Sequence, residues 1–302
     1  MKIIAPKNII FHNLKYKNIE VINAGILEGH LWEQIELPIL VRKYSGKLLN
    51  LCNTAPIISP GIVTIHDIQT KVHPEFFSKK FALWYNFINK LNIKRSRKII
   101  TVSKFSKNEI VKYYGISENK IEVIYNGWQH MERVVADEKI LDKLNLRNKE
   151  YILGVSSLNP NKNFKYILEL AKIHPEYQFI IVGKKNIKVF SEYNIENIDN
   201  LKWAGYVTDE ELKTLYSKAK VFVFPSIYEG FGIPPLEALA CGCENILVSN
   251  TSCLPEIYKN NAEYFNPYKI FRIEKTLNKK VKNILLIYNW KNSAKKIEDC
   301  FI

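Results

Sequence analysis

An α/β fold of two Rossmann-like domains is what this sequence predicts, and three observations carry that expectation. Short apolar runs such as VFVF (221–224) show no polar alternation, the mark of strands covered on both faces. These runs alternate with helical patterns along the chain, as parallel sheets with crossover helices require. At 302 residues the chain is long for one compact core and comfortable for two.

In the first half, GIVTIHD (61–67) reads as a strand ending in a polar pair. KIITVS (98–103) is a second strand, and Ser103 is placed to cap the helix KFSKNEIVKYYG that follows. KIEVIYNG (120–127) is a third, stopped by its Asn-Gly turn signal. No opening strand with a glycine-rich loop is legible before residue 50, so the first domain, residues 1–130, reads as abbreviated. The stretch from Trp128 to Glu150 begins charged and poor in apolar residues, which makes 131–150 the interdomain linker. A second domain, 151–285, opens with the strand YILGVSS (151–157) and the helix FKYILELAKIH. QFIIVG (178–183), KWAGYV, VFVFP and ENILVS (244–249) follow as strands. Thr208 and Glu211 form a T-x-x-E capping box for a helix ending near Ala219. The last stretch, LLIYNWKNSAKKIEDCF, reads as one helix and makes 286–302 a terminal segment.

Composition excludes several classes. Hydrophobic content of 47% with 25% charged residues suits a soluble globular enzyme. No apolar run approaches the roughly 18 residues needed to span a bilayer, and MKIIAPKNIIFHN lacks the apolar core and cleavage site of a signal peptide. Five cysteines without CxxC spacing read as reduced thiols, and no histidine cluster accompanies Cys241 and Cys243. The expected location is therefore cytoplasmic. The formal charge of +14 fits nucleic acid, an anionic membrane or phosphorylated small molecules. No helix-turn-helix, zinc-finger or RNP pattern is present, so no nucleic-acid partner is expected. From Ser78 to Asn108 there are nine Lys or Arg residues and no acid, with aromatic residues interleaved over 79–98. Such a stretch suits a helix lying on the inner face of the cytoplasmic membrane, or a core-facing helix with a lysine-rich solvent side.

The chemistry concentrates in SIYEGFGIPPLEALACG (226–242), where Glu229 and Glu237 stand eight residues apart. Gly230 and Gly232 permit a tight turn and close backbone approach to a ligand. Pro234 and Pro235 suit the first turn of a helix, with Gly242 as its stop. The motif is thus strand, turn, helix, with Glu229 in the turn and Glu237 in the first helical turn. A helix start offers amides to phosphate, and a carboxylate accepts hydrogen bonds from sugar or ribose hydroxyls. Each acid alone also fits a plainer role: Glu237 complementing the helix dipole, Glu229 solvated in a loop.

Taken whole, PSxYEGFGxPPLEAxACG resembles the donor-binding motif of retaining glycosyltransferases of family 4. GYVTDEELKTLYSKAKVFVFPS before it and SNTSCLPEIYKNNAEYFNPY after it resemble that family too. The likeness covers nearly the whole chain and is most specific from about 150 to 268. It implies a GT-B fold, with two Rossmann-like domains facing a central cleft and a C-terminal helix crossing back to the first domain. It implies transfer of a hexose of the mannose, glucose, galactose or rhamnose type from a nucleoside-diphosphate sugar to a lipid-linked glycan or polysaccharide precursor, with retention and no metal or other cofactor. No DxD pair stands at a strand end, which accords with the metal-free expectation.

By the same resemblance, Lys162 holds the donor diphosphate, a task suited to a flexible ammonium. Ser157 and Asn161 stand where the family often has an arginine, so the diphosphate clamp is weaker or draws on another base such as Lys184 or Lys185. Glu237 holds the ribose hydroxyls, Glu229 faces the sugar, and the backbone of Gly230, Phe231, Gly232 and Ile233 contacts sugar and diphosphate. Gly205, Tyr206 and Val207 lie near the base. His66, ending the strand VTIHD, is projected toward the donor sugar, with Asp67 in support or capping the next loop. Glu229 and His66 are the catalytic candidates. A second reading keeps the fold without the chemistry, as a degenerate GT-B subunit that binds another transferase; intact His66, Lys162, Glu229 and Glu237 argue against it.

A sugar contact that strengthens as charge grows at the anomeric carbon acts on turnover more than on donor affinity. His66→Ala is therefore expected to lower turnover by about 10²-fold with donor binding little changed. Steady-state kinetics beside a nucleotide titration checks this; near-normal turnover would remove His66 from the site.

Overall fold

Parallel strands buried on both faces must be stacked between helices, and both parts of this chain do so. The computed structural model describes residues 1–9, 17–148, 150–155, 157, 159–183, 198–273 and 283–301. The chain divides into two compact units. The first comprises Met1–Thr101, Lys107–Val123 and Asp299–Ile302, and the second Val102–Ser106 and Ile124–Glu298.

In the first unit, β1 (Lys2–Ala5) and β2 (Glu20–Asn23) pair in parallel as a two-stranded sheet. An opening strand therefore exists where the sequence showed none; four residues, mostly half-buried, give too short an apolar run to stand out. A four-stranded parallel sheet runs in the order β3 (Leu49–Asn50), β4 (Ile62–Thr64), β5 (Lys98–Thr101), β6 (Ile121–Val123). Ala55, Val63, Ile65, Ile99 and Ile110 close its core, all fully buried. The strand expected over 61–67 is shorter than its apolar run. The ladder ends at Ile65, whose amide bonds Ile100, and the His66 amide turns to Asn53 Oδ1 instead.

The helical segments of this unit are α1 (Gly29–Leu31) and α2 (Leu37–Lys43), α3 (Gln69–Val72), α4 (Lys79–Arg95) and most of α5 (Lys104–Tyr114). Ser78 caps α4 by accepting from the Phe81 amide, and Ser103 caps α5 by accepting from the Ser106 amide. Helix α4 buries Ala82, Ile88, Asn89, Asn92 and Ile93 and leaves Phe81, Leu83, Trp84 and Phe87 exposed. The basic run does not stay helical to residue 98. The Arg97 amide bonds Gly61, and Lys98 opens β5 with its ammonium 3.7 Å from Glu122.

The second unit holds a six-stranded parallel sheet of β7 (Tyr151–Val155), β8 (Gln178–Val182), β9 (Leu201–Gly205), β10 (Val221–Phe224), β11 (Ile246–Ser249) and β12 (Glu263–Phe265). Its spatial order is β12-β11-β10-β7-β8-β9. Side chains alternate between two cores: Leu153, Phe222 and Phe224 enter one, Ile152, Val221 and Val223 the other. The helices are α6 (Lys139–Lys143), α7 (Phe164–Ile173), α8 (Asp209–Lys218), α9 (Ile233–Ala240), α10 (Leu254–Tyr258), α11 (Ile284–Ile287) and α12 (Trp290–Asp299). Thr208 and Glu211 close a reciprocal capping box on α8.

Of residues 131–150, read from the sequence as a linker, 131–143 are packed onto α8. Met131 and Ile140 are buried in the core, and Lys213 Nζ donates to the carbonyls of Met131 and Val134, both at 2.8 Å. The terminal helix is two helices. Tyr288 is extended between them, its hydroxyl donating to Ile257, and Asn289 Oδ1 caps α12 by accepting from the Lys291 amide. Among the described residues no helix is long and apolar enough to cross a membrane. Among the described residues no disulfide is formed, and burial pushes Cys241 up to about 12, far from a reactive thiolate.

Candidate functional site

Strand order decides where a ligand can sit. In the second unit β7 and β10 pair at the centre, with β8 and β9 leading away on one side and β11 and β12 on the other. The chain thus reverses direction across the sheet between β7 and β10, and crevices open beyond the carboxyl ends of strands at such a point. The loops leaving these two strands carry Lys162 and Glu229.

Lys162 ends a short 3-10 turn, Pro160–Lys162, and Asn163 at φ 50° then starts α7. Its ammonium lies 2.6 Å from Glu229 Oε1, and Ser226 Oγ donates to the same oxygen at 2.6 Å. The Glu229 amide donates to Ser252 Oγ at 3.2 Å. Both charged side chains are largely covered, so each would be costly to leave alone in this setting. Asn161 is buried and structural: its side-chain amide donates to the Tyr228 carbonyl, while its own carbonyl accepts from the Ile227 amide. It ties the β7 loop to the β10 loop and so sets the distance between Lys162 and Glu229. Ser157 is exposed in the same loop, and Lys184 and Lys185 lie outside the described residues.

Gly232 launches α9 at φ 78°, and a Cβ there would come 2.6 Å from Leu254 Cδ2. Its carbonyl accepts from the Tyr258 hydroxyl. Phe231 is buried with its ring edge-on to Tyr288, so only its backbone is available to a ligand. Pro234 and Pro235 contribute no N–H to the first turn of α9. That leaves the amides of Phe231, Gly232 and half-buried Ile233, with Gly230, as the backbone a phosphate could meet.

Glu237 lies in the second turn of α9, not the first, because the helix begins only at Ile233. Its Oε2 accepts from the Tyr216 hydroxyl at 3.0 Å, and its Oε1 lies 2.8 Å from His130 Nε2. Tyr216 is fully buried; burial, and then the Glu237 charge, raise its phenol well above the ordinary value, so it stays a neutral donor. A carboxylate has about four lone-pair positions, and these two contacts leave room for a pair of ligand hydroxyls. Gly205, Tyr206 and Val207 follow the edge strand β9, with β8 between it and β7. Two strand spacings place them roughly 10 Å along the sheet from the Lys162 loop. Tyr206 is exposed and Val207 buried.

His66 belongs to the first unit. Its Nε2 lies 2.9 Å from the Leu51 carbonyl, and since a carbonyl only accepts, Nε2 carries the proton. Asp67 caps α3 by accepting from the Gln69 amide. Sequence reading missed His130, Tyr216 and Ser252, which lie 107, 21 and 23 residues from the glutamates they meet. Ser226, three residues before Glu229, was the one partner within local reach. Glu256 was missed as well: its carboxylate accepts from the Lys104 and Phe105 amides at 2.8 Å and from the Tyr125 hydroxyl at 3.1 Å.

Comparison with known proteins bears on the family and the fold. Residues 136–297 match the profile of glycosyl transferases group 1, and residues 52–129 that of glycosyltransferase family 4. O-antigen chain mannosyltransferase RfbU of Salmonella typhimurium is 32% identical over 256 residues, covering 83% of this chain and 68% of that protein. O-antigen chain mannosyltransferase B of Escherichia coli is 29% identical, covering 65% of this chain and 55% of that one. The crystal structure of HepE from Anabaena, in complex with UDP and glucose, has a TM-score of 0.69 at 18% identity. It covers 94% of this chain and 85% of that one, a likeness of fold.

The conformation at Gly232 yields a direct test. A side chain there must adopt a left-handed backbone and displace Leu254, so Gly232→Ala is expected to cost at least about 1–3 kcal/mol of stability. Urea denaturation measures it; a wild-type midpoint would show that the turn relaxes freely.

Proposed function

Because the chain belongs to the glycosyl transferases group 1 family, we propose that it moves a mannosyl unit from a nucleoside-diphosphate sugar to a lipid-linked glycan or polysaccharide precursor, retaining the anomeric configuration and needing no metal. The observation that carries this reading is the Lys162–Glu229 pair at the β7/β10 crossover, with Glu237 one helix turn beyond the glycine turn. The choice of mannose rests on the likeness to the Salmonella and E. coli mannosyltransferases.

In this proposal Lys162 meets the diphosphate while keeping its bond to Glu229, since an ammonium has three donors. The amides around Gly232 and the positive end of α9 add to that field, so the charge growing on the departing phosphate is met by groups already in place. The glycosidic C–O bond to the phosphate breaks, the acceptor hydroxyl bonds to the same carbon on the same face, and its proton passes to the departing phosphate oxygen. Glu237, pinned by Tyr216 and His130, takes the ribose hydroxyls. The working place is proposed to be an anionic membrane surface met through residues 79–98, where exposed Phe81, Leu83, Trp84 and Phe87 stand among lysines.

Transfer and hydrolysis assays across GDP-mannose, UDP-glucose, UDP-galactose and dTDP-rhamnose test the reading. GDP-mannose is expected to be consumed, with undiminished rate in a chelator and an α product from an α donor. No turnover of any donor would favour a non-catalytic subunit. Glu237→Ala should weaken nucleoside-diphosphate binding by about 1.5–3 kcal/mol, the loss of a charged acceptor. Unchanged calorimetric binding would remove the ribose role.

A further inference from the structure

We propose that a cleft in the first unit is a built seat for the phosphate of an anionic membrane lipid; this rests on the reading that the protein works at such a membrane. The cleft has a volume of about 320 Å³, lies between α3, α4 and the end of α5, and contains Lys71, Leu83, Phe87, Lys90, Lys94 and Tyr113 in its wall. That is the low end of small-ligand sites, a size for a headgroup rather than a nucleotide sugar.

Its chemistry follows from helical spacing. Leu83, Phe87, Lys90 and Lys94 fall at i, i+4, i+7 and i+11, one stripe along α4. The stripe is apolar in its first half and cationic in its second, and Lys71 of α3 adds a third cation to the wall. Among the described residues no acid lines the cleft. Three other lysines of this unit are drawn to carboxylates: Lys98 has Glu122 at 3.7 Å, Lys107 has Glu118 at 3.8 Å and Lys112 has Glu109 at 3.8 Å. Among the described residues none of Lys71, Lys90 and Lys94 has one. Leu83 and Phe87 are 75% and 50% exposed, an apolar cost that water does not relieve and an acyl–glycerol boundary would. A phosphate carried on an apolar tail matches both halves of the stripe, whereas free phosphate matches one.

Two measurements test this. The first titrates soluble dihexanoyl phosphatidic acid by calorimetry. Wild type is expected to bind one equivalent, Lys90→Gln/Lys94→Gln at least tenfold more weakly, and the charge-matched Lys79→Gln/Lys80→Gln within about twofold. The second is sedimentation with phosphatidylglycerol vesicles. A smeared surface charge costs either pair roughly 25-fold, about fivefold per lysine, and the cleft pair should lose at least tenfold more. Equal losses for the two pairs in both measurements would overturn the cleft and leave the membrane reading standing. Wild type that ignores the vesicles at low salt would overturn both. Inorganic phosphate binding as tightly as the short-chain lipid, with the same response to the variants, would make the cleft a plain anion site and overturn its lipid assignment.

Discussion

The parallel pairing of β7 with β10 is the constraint on which the second unit depends. Val221 opposes Ile152 and Phe222 opposes Leu153, and this contact joins the half-sheet built before residue 205 to the half-sheet built after 221. Because the two strands are parallel, both of their carboxyl ends open at one edge, and two loops distant in sequence are obliged to meet there. Lys162 and Glu229 come within 2.6 Å for that reason, 67 residues apart. Asn161 reinforces the meeting with hydrogen bonds into the β10 loop. A slip of this register by one residue would exchange the two cores and carry the loops apart.

Around that junction the charges are arranged to be satisfied before any ligand arrives. Glu229 accepts from a lysine and a serine, and Glu237 is bonded by a buried tyrosine and lies beside a histidine. Each acid is thereby held in place with acceptor capacity still in hand. The double proline trims the amide donors of the first turn of α9 and leaves those of the glycine turn as the ones at that end of the helix. Glu256 performs the same service for α5, where its carboxylate covers the two leading amides.

The first unit distributes its energy differently. Its core is small and β-branched, and α4 closes it with isoleucines, an alanine and two buried asparagines. One of these, Asn92, spends its amide on the Ala55 carbonyl. The outer face of α4 is consequently left to large apolar residues and lysines that contribute nothing to the core. A helix that keeps such a face exposed does so at a cost to solubility, and the pattern is understood when the face has something to meet.

Local chemistry alone determined much of this protein: the strand VFVF, the capping box at Thr208 and Glu211, the proline start of α9 and the glycine turn before it. Each depends on residues within four positions of one another, so each is written in the sequence. The E-x7-E motif is nearly as local and carries the family likeness, whereas Lys162, 67 residues from Glu229, was singled out only through that likeness. What only the tertiary structure decided are the contacts made across long loops. His130 and Tyr216 on Glu237, Asn161 bridging two loops, and the packing of residues 131–143 against α8 have no local signature, because the tertiary arrangement rather than spacing creates them. The break at Tyr288 belongs here too: periodicity favours a continuous helix, and a hydroxyl reaching Ile257 together with the Asn289 cap wins against it. The sequence also placed Glu237 one turn too early, since a first helical residue is set by where Gly232 adopts its left-handed conformation, and that conformation is chosen by the packing of Leu254 and Tyr258 around it.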